Sequence, residues 1–177
     1  MPEQKSAQHI TDPTGRAVAQ NVRRVRERRG LSTYDLARRL TDVGRPMAAA
    51  AVGRLERGER RVDVGDLMAL ASVLEVPPSA LLLPLDDDPQ HSVDVTGAGT
   101  VPADVAWDWA DGKRPLQLPE GESGTAMLEH QLYGRPPGRR TSRRDTSHLF
   151  RVLQDAGVDP TAMLRLIGAI EEEGRDG

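Results

Sequence analysis

The sequence predicts an all-α fold: five short helices in an N-terminal domain, then a linker and a C-terminal helical segment. Three observations support this prediction. Apolar residues recur at helical spacing through most of residues 14–83. Glycine or proline interrupts that spacing at short intervals, as turns between short helices require. Aromatic residues make up only 3% of the chain, which favours small helical cores over one large core.

The first predicted helix follows a polar leader. Residues 1–13 are mostly polar and are interrupted by two prolines, so we expect a disordered leader there. Thr14 is the expected N-cap of the helix, and Gly30 is the expected stop. Between them the apolar residues lie along one helical stripe, and most arginines lie on the other faces. The stripe consists of Val18, Val22 and Val25.

Helices two and three are predicted on either side of a glycine-containing turn at residues 42–45. Ser32 followed by Asp35 is a variant of the capping box, which predicts the start of helix two. Pro46 fits the first position of helix three, because that position needs no backbone N–H. Gly58 is expected to end this helix.

The rest of the chain is predicted to hold two short helices, a linker and a helical hairpin. Asp63 is the expected cap of helix four, and the proline pair after residue 76 separates it from a short fifth helix. Residues 84–144 read as an acidic linker rich in proline and glycine, with a small tryptophan-containing segment. Within it, the alternation at residues 91–96 is compatible with one short strand. Residues 145–173 carry two amphipathic stripes joined by a tight turn, which predicts the hairpin.

Charge is distributed unevenly along the chain. The net charge is −3, which taken alone argues against a nucleic-acid partner. Residues 14–61, however, contain 13 arginines against five acidic residues, a net charge of +8, so the remainder carries −11. A basic block on an acidic chain is typical of a nucleic-acid-binding module. A solvated arginine-rich surface would give the same composition.

Several other classes of protein are disfavoured by the sequence. The chain has no cysteine, no signal-peptide pattern and no run of about 20 apolar residues. Its four histidines are scattered, without the spacing of metal ligands, and no nucleophile-and-base arrangement can be named. We therefore expect a cytoplasmic protein that is not an enzyme, with no catalytic residue, metal, cofactor or membrane span.

The order of the predicted elements resembles the Cro/CI-type, or XRE, family of helix-turn-helix regulators. The matching pieces are VRRVRERRGLS (22–32), STYDLARRL (32–40), VGRLERGERRV (52–62) and LMALASVLEVPPSALL (67–82). The resemblance covers residues 14–83 and implies a lambda repressor-like domain of five helices. It further implies binding to double-stranded DNA, with helix three in the major groove and a homodimer spanning two half-sites. Residues 145–173 are the candidate dimerisation element.

The same resemblance implies roles for individual residues. Arg26 matches an arginine that pairs with the glutamate of the Leu-Glu-Arg-Gly piece, here Glu56, in a structural salt bridge. Thr33 falls where family members commonly place a residue that contacts a phosphate. The positions expected to face the bases are Ala48, Ala49, Ala50, Gly53 and Arg54. The arginines expected to hold phosphates are Arg45, Arg57, Arg60 and Arg61.

Helix three has lost most of the polar side chains with which family members read bases. Its alanine methyls can pack on a thymine methyl, and its small residues allow close approach to the groove floor. Arg54 can reach a guanine bidentately or contact a phosphate. Helix propensity alone would also explain the alanines. The alternative function is therefore a protein-interaction module, such as an antitoxin or adaptor, in which the helix-turn-helix is a scaffold.

Overall fold

The computed structural model describes residues 12–121 and 123–140. Within these residues the chain forms seven α-helices, one short 3-10 helix and one two-stranded antiparallel sheet. The elements are α1 (Pro13–Arg28), α2 (Thr33–Asp42), α3 (Ala49–Glu56), α4 (Val64–Val73), α5 (Ser79–Leu82), β1 (Ser92–Val95), β2 (Gly99–Pro102), α6 (Ala103–Ala110), α7 (Ser123–Gly134) and the 3-10 helix Pro137–Arg139. The fold is mostly helical, and the all-α prediction is wrong at the sheet. The predicted hairpin at 145–173 lies outside the described residues.

Helices α1–α5 enclose one apolar core. Each helix presents the stripe that its helical spacing predicts, and α2 packs on both α3 and α4 while α1 packs on α5. The core consists of Val18, Val22, Val25, Leu36, Leu40, Met47, Val52, Leu55, Leu70, Ala71, Val73, Leu74 and Leu81. Burial of this set fixes α3 between the other helices and leaves its opposite face in solvent.

Helix α1 begins earlier than the sequence indicated. Asp12, not Thr14, is its N-cap, and the Asp12 carboxylate accepts a 2.6 Å hydrogen bond from the N–H of Gly15. Pro13 then occupies the first helical position, where its missing N–H costs nothing. The Thr14 hydroxyl instead accepts a hydrogen bond from the N–H of Thr96. Residues 12 and 13 of the predicted leader therefore belong to the helix and its cap.

The start of α2 confirms the predicted capping box, whereas the start of α3 does not follow the prediction. Ser32 and Asp35 satisfy each other's backbone N–H groups at the start of α2. Pro46 precedes α3 and does not begin it. The side chain of Met47 is buried in the core, and the chain stays extended through Ala48, the N-cap residue.

A buried amide joins α1 to the end of α5. The Asn21 side-chain nitrogen donates to the carbonyls of Leu81 and Leu83, at 3.1 and 2.7 Å. The Asn21 oxygen accepts from Nε of Arg24 at 3.1 Å, so the whole amide is paired. Because Asn21 is only 5% exposed, these bonds form away from water.

We predict that Asn21→Ala lowers the free energy of unfolding by about 1–3 kcal/mol. The substitution removes two hydrogen bonds to the carbonyls of buried residues, and a typical hydrogen bond contributes roughly 0.5–1.5 kcal/mol to stability. Urea denaturation followed by circular dichroism measures the effect, with the exposed neighbour Gln20→Ala as control. Equal denaturation midpoints for the two variants would contradict the assignment.

The predicted linker contains a β-hairpin. Strands β1 and β2 pair with Val93 opposite Val101, and the side chains of Val93, Val95 and Val101 are buried on one face. The strand indicated by the alternation at residues 91–96 is therefore present. Thr96, at the hairpin turn, exchanges backbone and side-chain hydrogen bonds with Thr14. The hairpin thus packs against the start of α1.

The described residues divide into two compact units, one up to Trp107 and one from Asp108 onward. In the first, the Trp107 indole donates to the carbonyl of Pro84 at 2.9 Å. In the second, the buried Gln131 side chain of α7 donates to the carbonyl of Lys113 at 3.2 Å. The predicted tryptophan segment is helical, since both tryptophans lie on α6.

Candidate nucleic-acid interface

Helix α3 presents a solvent face made of very small residues. Val52 and Leu55 are fully buried, whereas Ala48 and Ala50 are exposed and Ala49 and Gly53 are half-buried. A Cβ atom added at Gly53 would lie 3.3 Å from Nη1 of Arg57. A larger residue at position 53 would therefore crowd the Arg57 side chain.

Arg54 extends from this small face into solvent. It is exposed, and its guanidinium forms no ion pair or hydrogen bond with any residue in the described parts of the chain. The same holds, within those parts, for Arg61, which lies in the loop between α3 and α4. These two predicted contacts therefore keep their full hydrogen-bonding capacity for a partner. A guanidinium offers five N–H donors in a planar fork that suits phosphate and guanine.

Arg57 is held by a neighbour in the same loop. Its Nε and Nη2 atoms donate to the two carboxylate oxygens of Glu59, at 3.0 and 2.8 Å. This bidentate hydrogen bond raises the pKa of Arg57. A phosphate at Arg57 would have to share the guanidinium with Glu59.

Two further predicted phosphate contacts, Arg45 and Arg60, lie in one ion-pair network at the start of α4. Arg45 donates from Nε to Asp66 at 2.8 Å and from Nη2 to Asp63 at 2.6 and 2.8 Å. Arg60 donates from Nη2 to the second Asp66 oxygen at 2.9 Å. The hydrogen bond to Asp66 raises the pKa of Arg45. The hydrogen bond from the N–H of Asp66 lowers the pKa of Asp63.

Asp63 and Asp66 are the residues of this region that the sequence analysis missed as partners. Asp63 was expected only as a helix cap, which it is. The detectable signal was a pair of aspartates three residues apart, placed directly after the basic block. Because the basic block was counted only up to Arg61, these two charges were assigned to the acidic remainder.

Arg26 and Glu56 form a bidentate pair in the interior of the domain. Nε of Arg26 lies 2.6 Å from Oε1 of Glu56, and Nη2 lies 2.9 Å from Oε2. Nη1 of Arg26 also donates to the carbonyl of Leu31 at 2.7 Å. The side chains are 12% and 7% exposed. The hydrogen bond to Glu56 raises the pKa of Arg26. One guanidinium thus ties α1 to the start of α2 and the end of α3.

The remaining predicted contact, Thr33, is the first residue of α2 and is half-buried. It follows the Ser32 cap, next to the segment that Arg26 holds. Beside it, Tyr34 is 78% exposed, a large surface residue that the sequence analysis did not single out. The start of α2 and the solvent face of α3 are the parts that a helix-turn-helix directs at DNA.

A metal site and a membrane-spanning helix are both absent from the described residues. Among residues 12–121 and 123–140, no group of three or more His, Asp and Glu residues could hold a metal ion. No helix in these ranges has the length and apolar character needed to cross a membrane.

Comparison with known families finds one similarity. A family model described as a helix-turn-helix domain matches residues 17–83. The match ends at Leu83, the last residue of the predicted domain, and includes α2, α3 and the turn between them. Comparisons with curated proteins and with solved structures found no match.

Proposed function

We propose that this protein is a sequence-specific, DNA-binding transcriptional regulator of the Cro/CI type, with a repressor-like mode of action. The observation that carries the proposal is the solvent face of α3, where Arg54 has no acidic partner among the described residues and lies beside exposed alanines. The domain match supports it, because helix-turn-helix domains place such a helix in the major groove.

The base readout would combine one charged contact with shape. Arg54 can form a bidentate pair with a guanine, which discriminates against the wrong base by about 1–3 kcal/mol. Ala48 and Ala50 would pack on thymine methyl groups. A face this small gives modest discrimination for one half-site. A homodimer, through residues 145–173 in our proposal, would add specificity by spacing two α3 helices about 34 Å apart.

The phosphate contacts would differ in strength among the predicted arginines. Arg61 is exposed and unpaired within the described chain, so it would bind a phosphate directly. Arg45, Arg57 and Arg60 already hold acidic partners, so each would neutralise a phosphate less fully and displace fewer counterions from the DNA. Thr33 would add a neutral contact at the start of α2.

A second function is favoured by a specific observation. The face of α3 has no amide or hydroxyl side chain, and three nearby arginines are paired internally. A scaffold that binds another protein, as an antitoxin or adaptor does, would show the same features. Occupancy of DNA and binding of a protein partner differ in how they depend on salt.

Binding of the full-length protein to a labelled duplex, measured by fluorescence anisotropy across salt concentrations, tests the proposed function. Each phosphate neutralised should lower log K by about 0.9 for each unit of log salt concentration. We expect a steep negative slope for the wild type. Absence of duplex binding at about 50 mM salt would reject DNA binding and favour the protein-partner function.

A further inference from the structure

The two arginines that flank α3 in sequence share one buried carboxylate. Arg45 lies before the helix and Arg60 lies after it, and each donates to a different oxygen of Asp66. The Asp66 side chain is only 4% exposed, although it is charged. Both chain segments that enter and leave α3 are therefore tied to the first turn of α4 through one residue.

Helix α3 itself has little local stabilisation. It has eight residues, and isolated helices of that length are not stable in water. Its N-cap, Ala48, provides no side-chain hydrogen bond. Gly53, in its interior, destabilises a helix by roughly 0.5–1 kcal/mol relative to alanine. The position of α3 therefore depends on its contacts with the rest of the domain.

The backbone around Asp66 is arranged to receive Arg45. The N–H of Asp66 donates to Asp63 at 2.7 Å, which places both carboxylates beside the same guanidinium. Gly65, between them, has no Cβ. A Cβ there would lie 3.2 Å from Cζ and from Nη2 of Arg45, and 3.2 Å from Oδ1 of Asp63. The missing side chain leaves the space that the Arg45 guanidinium occupies.

We propose that Asp66 is a positioning residue for DNA binding: by holding Arg45 and Arg60 together it fixes both ends of α3 in the orientation that fits the major groove. This inference rests on the proposed function. Asp66 touches no DNA. It acts through Arg45 and Arg60, which in turn orient α3, the helix that we propose to contact DNA.

The sign of one mutational effect separates positioning from simple electrostatics. Asp66→Asn makes the protein more positive and removes the carboxylate that Arg45 and Arg60 share, so electrostatics alone predicts tighter DNA binding. Positioning predicts the opposite, because the link through Asp66 between the segments before and after α3 is weakened, although Arg45 keeps its hydrogen bonds to Asp63. We expect binding on the order of tenfold weaker, the scale found for residues that act without touching the ligand.

Glu75→Gln is the matched control. Glu75 is also paired with an arginine, Arg29, at 2.9 Å, and its loss changes the charge by the same amount. It follows α4, at the end opposite to Asp66. We expect Glu75→Gln to bind the labelled duplex as tightly as the wild type or slightly more tightly. Hydrogen exchange of the free proteins should be faster at the α3 amides in Asp66→Asn alone.

Gly65→Ala provides a second variant, without change of charge. The added methyl crowds the guanidinium of Arg45 and Oδ1 of Asp63, while alanine favours a helix by roughly 0.5–1 kcal/mol over glycine, so the effects on stability oppose each other. We expect duplex binding severalfold weaker with a thermal midpoint close to that of the wild type. If Asp66→Asn does not fold, Gly65→Ala tests the positioning role of Asp66 in its place.

The outcomes distinguish this inference from the proposed function. Failure of the wild-type protein to bind the duplex would reject both the proposed function and the positioning role of Asp66. Wild-type binding together with equal or tighter binding by Asp66→Asn rejects positioning and leaves the proposed function standing. If Asp66→Asn does not fold, equal binding by Gly65→Ala and the wild type rejects positioning. Weaker binding and faster α3 exchange, with Glu75→Gln unchanged, support it.

Discussion

Replacing Glu56 with alanine is expected to lower the free energy of unfolding by about 3 kcal/mol. The substitution leaves the guanidinium of Arg26, 12% exposed, without the carboxylate that it contacts at two oxygens. Removing one partner of a buried ion pair costs roughly 3–5 kcal/mol, because the remaining charge cannot recover its hydration. The pair joins α1 to α3, so the loss should destabilise the domain as a unit.

Urea denaturation of the full-length protein, followed by circular dichroism, measures this effect. Glu75→Ala is the control, since it removes a carboxylate from an exposed arginine pair. Exposed pairs contribute only about 0–1 kcal/mol. Similar denaturation midpoints for Glu56→Ala and Glu75→Ala would show that the buried pair with Arg26 stabilises the domain no more than the exposed pair with Arg29.

Replacing Arg54 with alanine is expected to weaken specific DNA binding by about ten- to a hundredfold. Arg54 is the one long polar side chain on the face of α3 that we propose to read bases, and a bidentate contact to guanine discriminates by about 1–3 kcal/mol. The remaining alanines and Gly53 cannot form hydrogen bonds to base edges through side chains. Sequence preference should therefore fall together with affinity.

Arg29→Ala and Arg57→Ala serve as comparisons. Arg29→Ala removes the same charge from the pair with Glu75, away from α3. It should reduce affinity only slightly and leave sequence preference unchanged. Arg57→Ala removes an arginine already bound to Glu59, so its effect should be smaller than that of Arg54→Ala. Equal losses for Arg54→Ala and Arg29→Ala would mean that α3 does not read bases.

The helices could be predicted because their signals are local. Ser32 with Asp35 indicates a capping box, and the valine stripe of α1 needs only a helical period to be recognised. The domain boundary at residue 83, inferred from the composition change there, stays a prediction, and the first compact unit continues to Trp107. Prediction was wrong where two local signals competed, as at Asp12 and Thr14, either of which has the chemistry of a cap.

The hairpin and the ion-pair network depend on contacts between residues distant in sequence. Strand β2 contains two glycine or proline residues among four, so its own sequence does not indicate a strand. The strand is stabilised instead by its pairing with β1, and the hairpin is stabilised by the contact of Thr96 with Thr14. Likewise, a count of charges along the chain cannot show which arginines have acidic partners.

The location of the candidate interface was therefore easier to predict than which of its arginines have acidic partners. The resemblance placed ten residues near DNA, and the structure locates them around α3, its flanking loops and the start of α2. Of the five arginines among them, Arg54 and Arg61 are unpaired within the described chain. The other three are held by carboxylates that do not belong to the matched DNA-facing positions.

Sequence-specific DNA binding by α3 is tested by selecting duplexes from a randomised pool with the full-length protein at two salt concentrations and sequencing those retained. We expect enrichment of a two-fold-symmetric site with a guanine in each half-site, loss of that guanine preference in Arg54→Ala, and retention that falls as salt rises. Failure to retain any duplex at low salt would show that the protein does not bind DNA, and salt-sensitive retention with no enriched sequence would show that α3 does not read bases.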